Sequence, residues 1–206
     1  QDRAFRAGEA VSQRVVGEVL ASRFDALVTV DPHLHRTPSL DLVTPGITAL
    51  AVPAAPAIVG YLWGRLSPRT VLVGPDAESR PWVAAVATPL GLDWLVAAKH
   101  RRGDRSVAIT LPAGAKLTGR PVLIVDDLLS SGGTVLACAQ ALRDAGARRV
   151  GMVATHCLAG AEDLARLRAA CVAPVLGTDS VPGPAARIAL AAVIAAAVQN
   201  AGLLPD

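Results

Sequence analysis

Pro121-Val-Leu-Ile-Val-Asp-Asp-Leu-Leu-Ser-Ser-Gly-Gly-Thr134 decides how the chain is read, because an apolar run, two acids and a turn of small residues follow one another there without a gap. Val122 to Val125 is four apolar, mostly β-branched residues, short enough for a strand and unalternated, as a strand covered on both faces must be. Asp126 and Asp127 are then expected at its carboxyl end, the edge at which open α/β sheets bind ligands. Ser130, Ser131, Gly132, Gly133 and Thr134 can curl backbone N–H groups around an anion, and a helix expected over 135–145 directs its positive end at the same point. Carboxylates beside an anion cradle suit a phosphorylated sugar whose hydroxyls the acids grip. The plainer alternative is that the acids end a strand and the small residues cap a helix, as these residue types often do.

Outward from this unit, strands and helices alternate. The spacing predicts a helix over 9–22, with Val11, Val15, Val16, Val19 and Leu20 on one face. Strands are predicted over 26–30, 47–52, 70–73, 93–98, 106–111 and 149–156, with another inside 172–178. Helices are predicted over 55–66, 80–90 and 162–170, with an Ala-rich closing helix over 185–200. Such alternation implies a mostly parallel sheet with crossover helices. The division expected is residues 1–53 as the remainder of one unit and residues 54–206 as a second, the last helix packing back on the first.

The chain has 206 residues, 52% of them hydrophobic, and is long enough for a sizeable core. No apolar run reaches 18 residues and no leader precedes a cleavage site, so neither a membrane partner nor export is expected, and the cytoplasm is the default. Cys138, Cys157 and Cys171 lack metal or disulfide-framework spacing and read as buried thiols. A net charge of +3 without a long basic run argues against nucleic acid as a partner and for small anions. Only Lys99 and Lys116 among the 20 cationic side chains are lysine, which singles out Lys99 in the cluster 99–105. That cluster reads as a mobile cationic loop pivoting at Gly103, with 112–120 as its distal hinge.

VLIVDDLLSSGGT resembles the phosphoribosyl-pyrophosphate loop of type I phosphoribosyltransferases and of ribose-phosphate diphosphokinases. The second family is resembled over nearly the whole chain, and most closely its archaeal-type branch. Gln1-Asp2 resembles that family's ATP-contacting segment, Asp31-Pro32-His33 its divalent-cation motif, Val73-Gly74-Pro75-Asp76 its pyrophosphate-contacting loop, and Lys99-His100-Arg101 its catalytic pair of cations.

The resemblance implies an α/β fold of two phosphoribosyltransferase-like units, mostly parallel sheets flanked by helices, the first unit incomplete. It implies ATP and ribose 5-phosphate as substrates, Mg²⁺ as cofactor, and a homo-oligomer. Asp126, Asp127 and residues 130–134 would hold ribose 5-phosphate, with Lys99 and Arg101 catalytic. Gln1, Asp2 and His33 would contact ATP, and His33 and Asp76 would hold the metal. Taken alone, Asp76 reads equally as a helix N-cap and His33 as a structural histidine. Family members carry a further half-domain before the ATP-contacting segment, so part of the adenine pocket is expected to be missing here. Two rivals stand beside this reading: a phosphoribosyltransferase that consumes the diphosphate, and a non-catalytic relative.

Overall fold

A computed structural model describes residues 4, 6–34, 37–102 and 106–203. Two compact units divide the chain, one from Gln1–Ala54 with Ala191–Asp206 and the other from Ala55–Leu190.

In the first unit, α1 (Ser12–Ala21) precedes two parallel strands, β1 (Ala26–Val30) and β2 (Thr48–Val52), joined through a short 3₁₀ turn at Leu40–Leu42. The apolar face expected of α1 is not covered. Val15, Val16 and Val19 are 49%, 55% and 58% exposed, and the helix is held instead through buried Gly17, whose missing side chain lets Val43 approach.

The second unit begins with α2 (Ala55–Leu62), β3 (Val71–Gly74), α3 (Arg80–Leu90) and β4 (Asp93–Val96). A hairpin of β5 (Ala98–Arg102) and β6 (Ser106–Thr110) follows. Then come β7 (Pro121–Leu129), α4 (Gly133–Asp144), β8 (Arg149–Cys157), α5 (Ala161–Ala169), β9 (Val172–Thr178) and β10 (Ala186–Ile188). Six strands form one parallel sheet in the order β10-β9-β8-β7-β3-β4. Leu72, Ile124 and Met152 on its strands, with Leu142 of α4 and Leu167 of α5, are fully buried, as strands covered on both faces require. The chain then returns to the first unit as α6 (Ala191–Asn200), which packs on β2. No helix among the described residues is long and apolar enough to cross a membrane.

Four expectations need correction. Cys171, in the turn between α5 and β9, is exposed, while Cys138 and Cys157 are buried as expected. β7 does not stop at Val125: it continues to Leu129 because β8 is equally long and pairs with it up to Leu129↔Cys157, so Asp126 and Asp127 lie within the strand. Lys99–Arg102 is not loop but the first strand of a hairpin, its register set by Lys99↔Ile109 and Arg101↔Val107. The closing helix starts at Ala191, because Gly177 and Asp179 donate backbone N–H groups to Ala185 and Ile188 and draw 186–188 onto the edge of β9. Asp179 Oδ1 also accepts from the Leu190 N–H at 3.0 Å.

Glycine at 17 and at 60 gives a paired test. A Cβ at Gly17 would lie 1.7 Å from the Val43 carbonyl oxygen, whereas one at Gly60 in α2 meets nothing within 4 Å. Alanine favours a helix by about 1 kcal/mol over glycine, but forcing backbone apart costs about 1–3 kcal/mol or more. Urea denaturation should show Gly17→Ala destabilised and Gly60→Ala stabilised by roughly 0.5–1 kcal/mol. Equal signs for the two would contradict the packing of α1.

Candidate active site

Two parallel strands of unequal reach create the site. β3 pairs with β7 only as far as Val73↔Ile124, while β7 runs five residues further on the support of β8. From β3 the chain moves outward to β4, and from β7 it moves the other way to β8, so the gap between their carboxyl ends is a topological switch point. Into this gap come the loop after β3 with Asp76, the part of β7 beyond its pairing with β3, with Asp126 and Asp127, and Lys99 from the hairpin after β4. Ala97 N–H donates to the Gly74 carbonyl at 2.8 Å and ties that hairpin to the end of β3.

Asp76 caps a helix, one of the readings its sequence position allowed, and also meets a cation. Its Oδ1 accepts the backbone N–H groups of Glu78 (3.1 Å) and Ser79 (3.3 Å), capping the turn that opens α3. Its Oδ2 meets Lys99 Nζ at 3.3 Å, with both side chains about one-fifth exposed. Gly74 is required here, since a Cβ would lie 2.3 Å from Ser79 Oγ, the hydroxyl that donates to the Asp76 carbonyl at 2.5 Å.

Asp127 is buried, and its backbone N–H donates to Asp126 Oδ1 at 3.1 Å. Burial, and then the neighbouring charges of Asp127 and Asp76, push the Asp126 carboxyl up to about 8. Behind it on α4 is Cys138, a fully buried thiol raised to about 12 by burial and then by the charges of Asp126 and Asp76. Crowded carboxylates of this kind accept hydroxyl hydrogens, cations or protons readily.

The turn at 130–133 leads directly into α4. Gly132 adopts φ +80°, a left-handed conformation suited to glycine, and no side chain caps the first amides of the helix. Those amides, with the exposed Ser130, Ser131 and Gly133 and half-buried Thr134, are free of side-chain caps and can meet an anion. Sequence reasoning missed Arg166, which donates from α5 to the Ser131 carbonyl while ion-paired to Asp163 at 2.8 Å, and so braces the turn. Arg166 has no local motif, because its contact joins residues distant in sequence. At the ends of β8 and β9, Thr178 and Ser180 hydroxyls reach the Thr155 carbonyl, and Ser180 meets His156 Nδ1 at 2.9 Å.

Of the other expected site residues, Gln1 and Asp2 lie outside the described residues. His33 belongs to the first unit, where it is exposed. Arg101 is placed in β5 by its backbone. Among the described residues no three His, Cys, Asp or Glu side chains are arranged to hold a metal. Asp76 and the Asp126–Asp127 pair do fit Mg²⁺, which takes only one or two carboxylates and completes its shell with water and substrate phosphate.

Residues 62–173 match the phosphoribosyl transferase domain family. Over 97% of its length the chain is 35% identical to the ribose-phosphate pyrophosphokinase of Methanopyrus kandleri, of which it covers 67%. It is 34% identical over 95% of its length to ribose-phosphate pyrophosphokinase 2 of Archaeoglobus fulgidus, covering 69%. A solved phosphoribosylpyrophosphate synthetase from Mycobacterium smegmatis shares the fold at a TM-score of 0.76, with 24% identity over 98% of this chain and 67% of that one. The chain thus spans about two thirds of the length of each.

The crowding at Asp126 has a measurable sign. The folded chain keeps this proton up to about pH 8, whereas the unfolded chain releases it near 3.8, so stability declines as pH rises between the two. Asp126→Asn keeps the shape and the acceptor for the Asp127 N–H but removes the ionisation. Thermal melts should place the variant level with the parent at pH 4 and roughly 5 °C above it at pH 8. A parent whose melting temperature rises from pH 5 to 8 relative to the variant would show that the carboxyl is not held protonated.

Proposed function

Because the chain belongs to the ribose-phosphate pyrophosphokinase family, we propose that it transfers the pyrophosphoryl group of Mg-ATP to the anomeric hydroxyl of ribose 5-phosphate, giving 5-phosphoribosyl 1-diphosphate and AMP. The observation that best supports this is the meeting of a carboxylate pair, a lysine and an uncapped helix N-terminus at one switch point. A phosphoribosyltransferase would share the grip on phosphoribose but would also need a hood over its nucleobase; Lys99 at the same edge supplies a cation for the transferred group.

In this proposal the 5-phosphate sits on the amides of residues 130–134, where N–H dipoles and the end of α4 oppose its charge. Ring hydroxyls donate to Asp126 and Asp127, which turns the anomeric oxygen toward the β-phosphorus. A new O–P bond forms there as the bond between the β-phosphorus and the AMP oxygen breaks, and the proton of the anomeric hydroxyl is released to solvent. Charge grows on the phosphoryl oxygens during this step, and catalysis consists largely of holding groups in line and matching that charge. Lys99 acts as a compact point charge and Arg101 as a planar fork. Mg²⁺, when bound, supplies neutralisation of the phosphate oxygens. Asp76 is its ligand in the second unit, and His33 keeps the metal and nucleotide roles that the resemblance implies, as Gln1 and Asp2 keep theirs with ATP. Homo-oligomerisation and a cytoplasmic location belong to the same proposal.

Incubating the chain, and any longer polypeptide that contains it, with ATP, Mg²⁺ and ribose 5-phosphate should release AMP only when the sugar is present. Lys99→Ala should slow release by about 100-fold or more. If neither polypeptide makes AMP, and either consumes 5-phosphoribosyl 1-diphosphate when given a nucleobase, the proposal is wrong. Arg166→Ala, which unbraces the phosphate turn, should raise KM for ribose 5-phosphate roughly tenfold and change KM for ATP little; equal effects on both would count against the phosphate turn.

A further inference from the structure

At the opposite edge of the second unit's sheet, the amino ends of β7, β8 and β9 surround a cavity of about 470 Å³, within the range of small-molecule sites. Its floor is apolar, formed by Leu62, Pro121, Leu123, Pro174 and Leu176. Around it stand Arg65, Arg69, Arg148 and Arg149, and no carboxylate lines it. Four arginines with no carboxylate among the lining residues make this a locally positive surface.

These cations are not consumed by the fold. The guanidinium groups of Arg69, Arg148 and Arg149 make no hydrogen bond or ion pair among the described residues, and that of Arg65 reaches only the Tyr61 carbonyl and ring. Their backbone, by contrast, is fixed. Arg120 Nε donates to the Arg69 carbonyl at 2.8 Å, and the Arg148 N–H donates to the Arg120 carbonyl at 2.8 Å, while Arg120 is itself anchored on Asp93. Like charges held together above an apolar floor repel one another until an anion lies among them, and arginine forks suit a phosphate.

We infer that this cavity binds a small organic phosphate, its ring on the apolar floor and its anionic head among Arg65, Arg69, Arg148 and Arg149. The inference goes beyond the reading of the carboxyl edge and does not depend on it. Five residues of β7, about 17 Å of strand, separate Pro121 in this cavity from Asp126.

1-Naphthyl phosphate tests it, since its two halves can be offered separately. Fluorescence titration should give saturable binding at least tenfold tighter than that of either inorganic phosphate or 1-naphthol. The double variant Arg148→Ala/Arg149→Ala, altered at two exposed side chains without partners, should weaken binding tenfold or more with an unchanged melting temperature. Lys99→Ala should leave binding as it was, which separates this site from the carboxyl edge. Absence of saturable binding, equal affinity in the arginine double variant, or loss of binding in Lys99→Ala would each overturn the inference.

Discussion

The site depends on a difference in length between two neighbouring strands. β7 has backbone partners on both sides only up to Ile124; beyond it β8 alone continues, and the side toward β3 is left open. Two carboxylates on that open side could not be tolerated in the middle of a sheet, where an unpaired buried charge is expensive. Here Asp127 is buried and Asp126 partly so, and burial first, then the charges of Asp127 and Asp76, raises the Asp126 carboxyl to about 8. Asp126 therefore meets that cost by holding its proton until hydroxyl hydrogens or positive charge arrive beside it.

How much of this the sequence disclosed follows from how local each cause is. β1, α3 and β9 were legible nearly to the residue because their apolar runs are bounded by turn chemistry: Pro32 soon after β1, the Asp76–Ser79 cap before α3, Gly91 after it at φ +64°. β7 was read four residues short because acids at 126 and 127 look like a strand's end, and only the length of β8, twenty residues later, carries the ladder past them. The Lys99–Arg102 strand was hidden in the same way. Its charged side chains resemble loop, and the β partner at 106–110 decides otherwise. The exposed valines of α1 show the converse: helical spacing marks a face suited to burial, and says nothing of what covers it.

For the site, the motifs at 76, 99 and 126–134 were visible, and the structure brings all three to one edge of the second unit. Invisible in sequence were the supports: Arg166 under the phosphate turn, and the hairpin tie from Ala97 to Gly74. Both are long-range contacts to backbone carbonyls, which any residue can offer and no motif records. The arginines at 65, 69, 148 and 149 escaped notice for the same reason, since two short pairs some eighty residues apart do not form a basic run until the sheet places them around one cavity.

The Lys99–Asp76 pair joins these considerations. Both side chains are about one-fifth exposed and 3.3 Å apart, and partly solvated ion pairs contribute only about 0–1 kcal/mol. Lys99 can therefore leave Asp76 for a phosphate oxygen at little cost, because the carboxylate it leaves keeps two backbone N–H donors on its other oxygen. An arginine would bind that carboxylate through two parallel hydrogen bonds and give it up less easily. In a chain that uses arginine almost everywhere else, lysine at 99 is what an exchangeable partner requires.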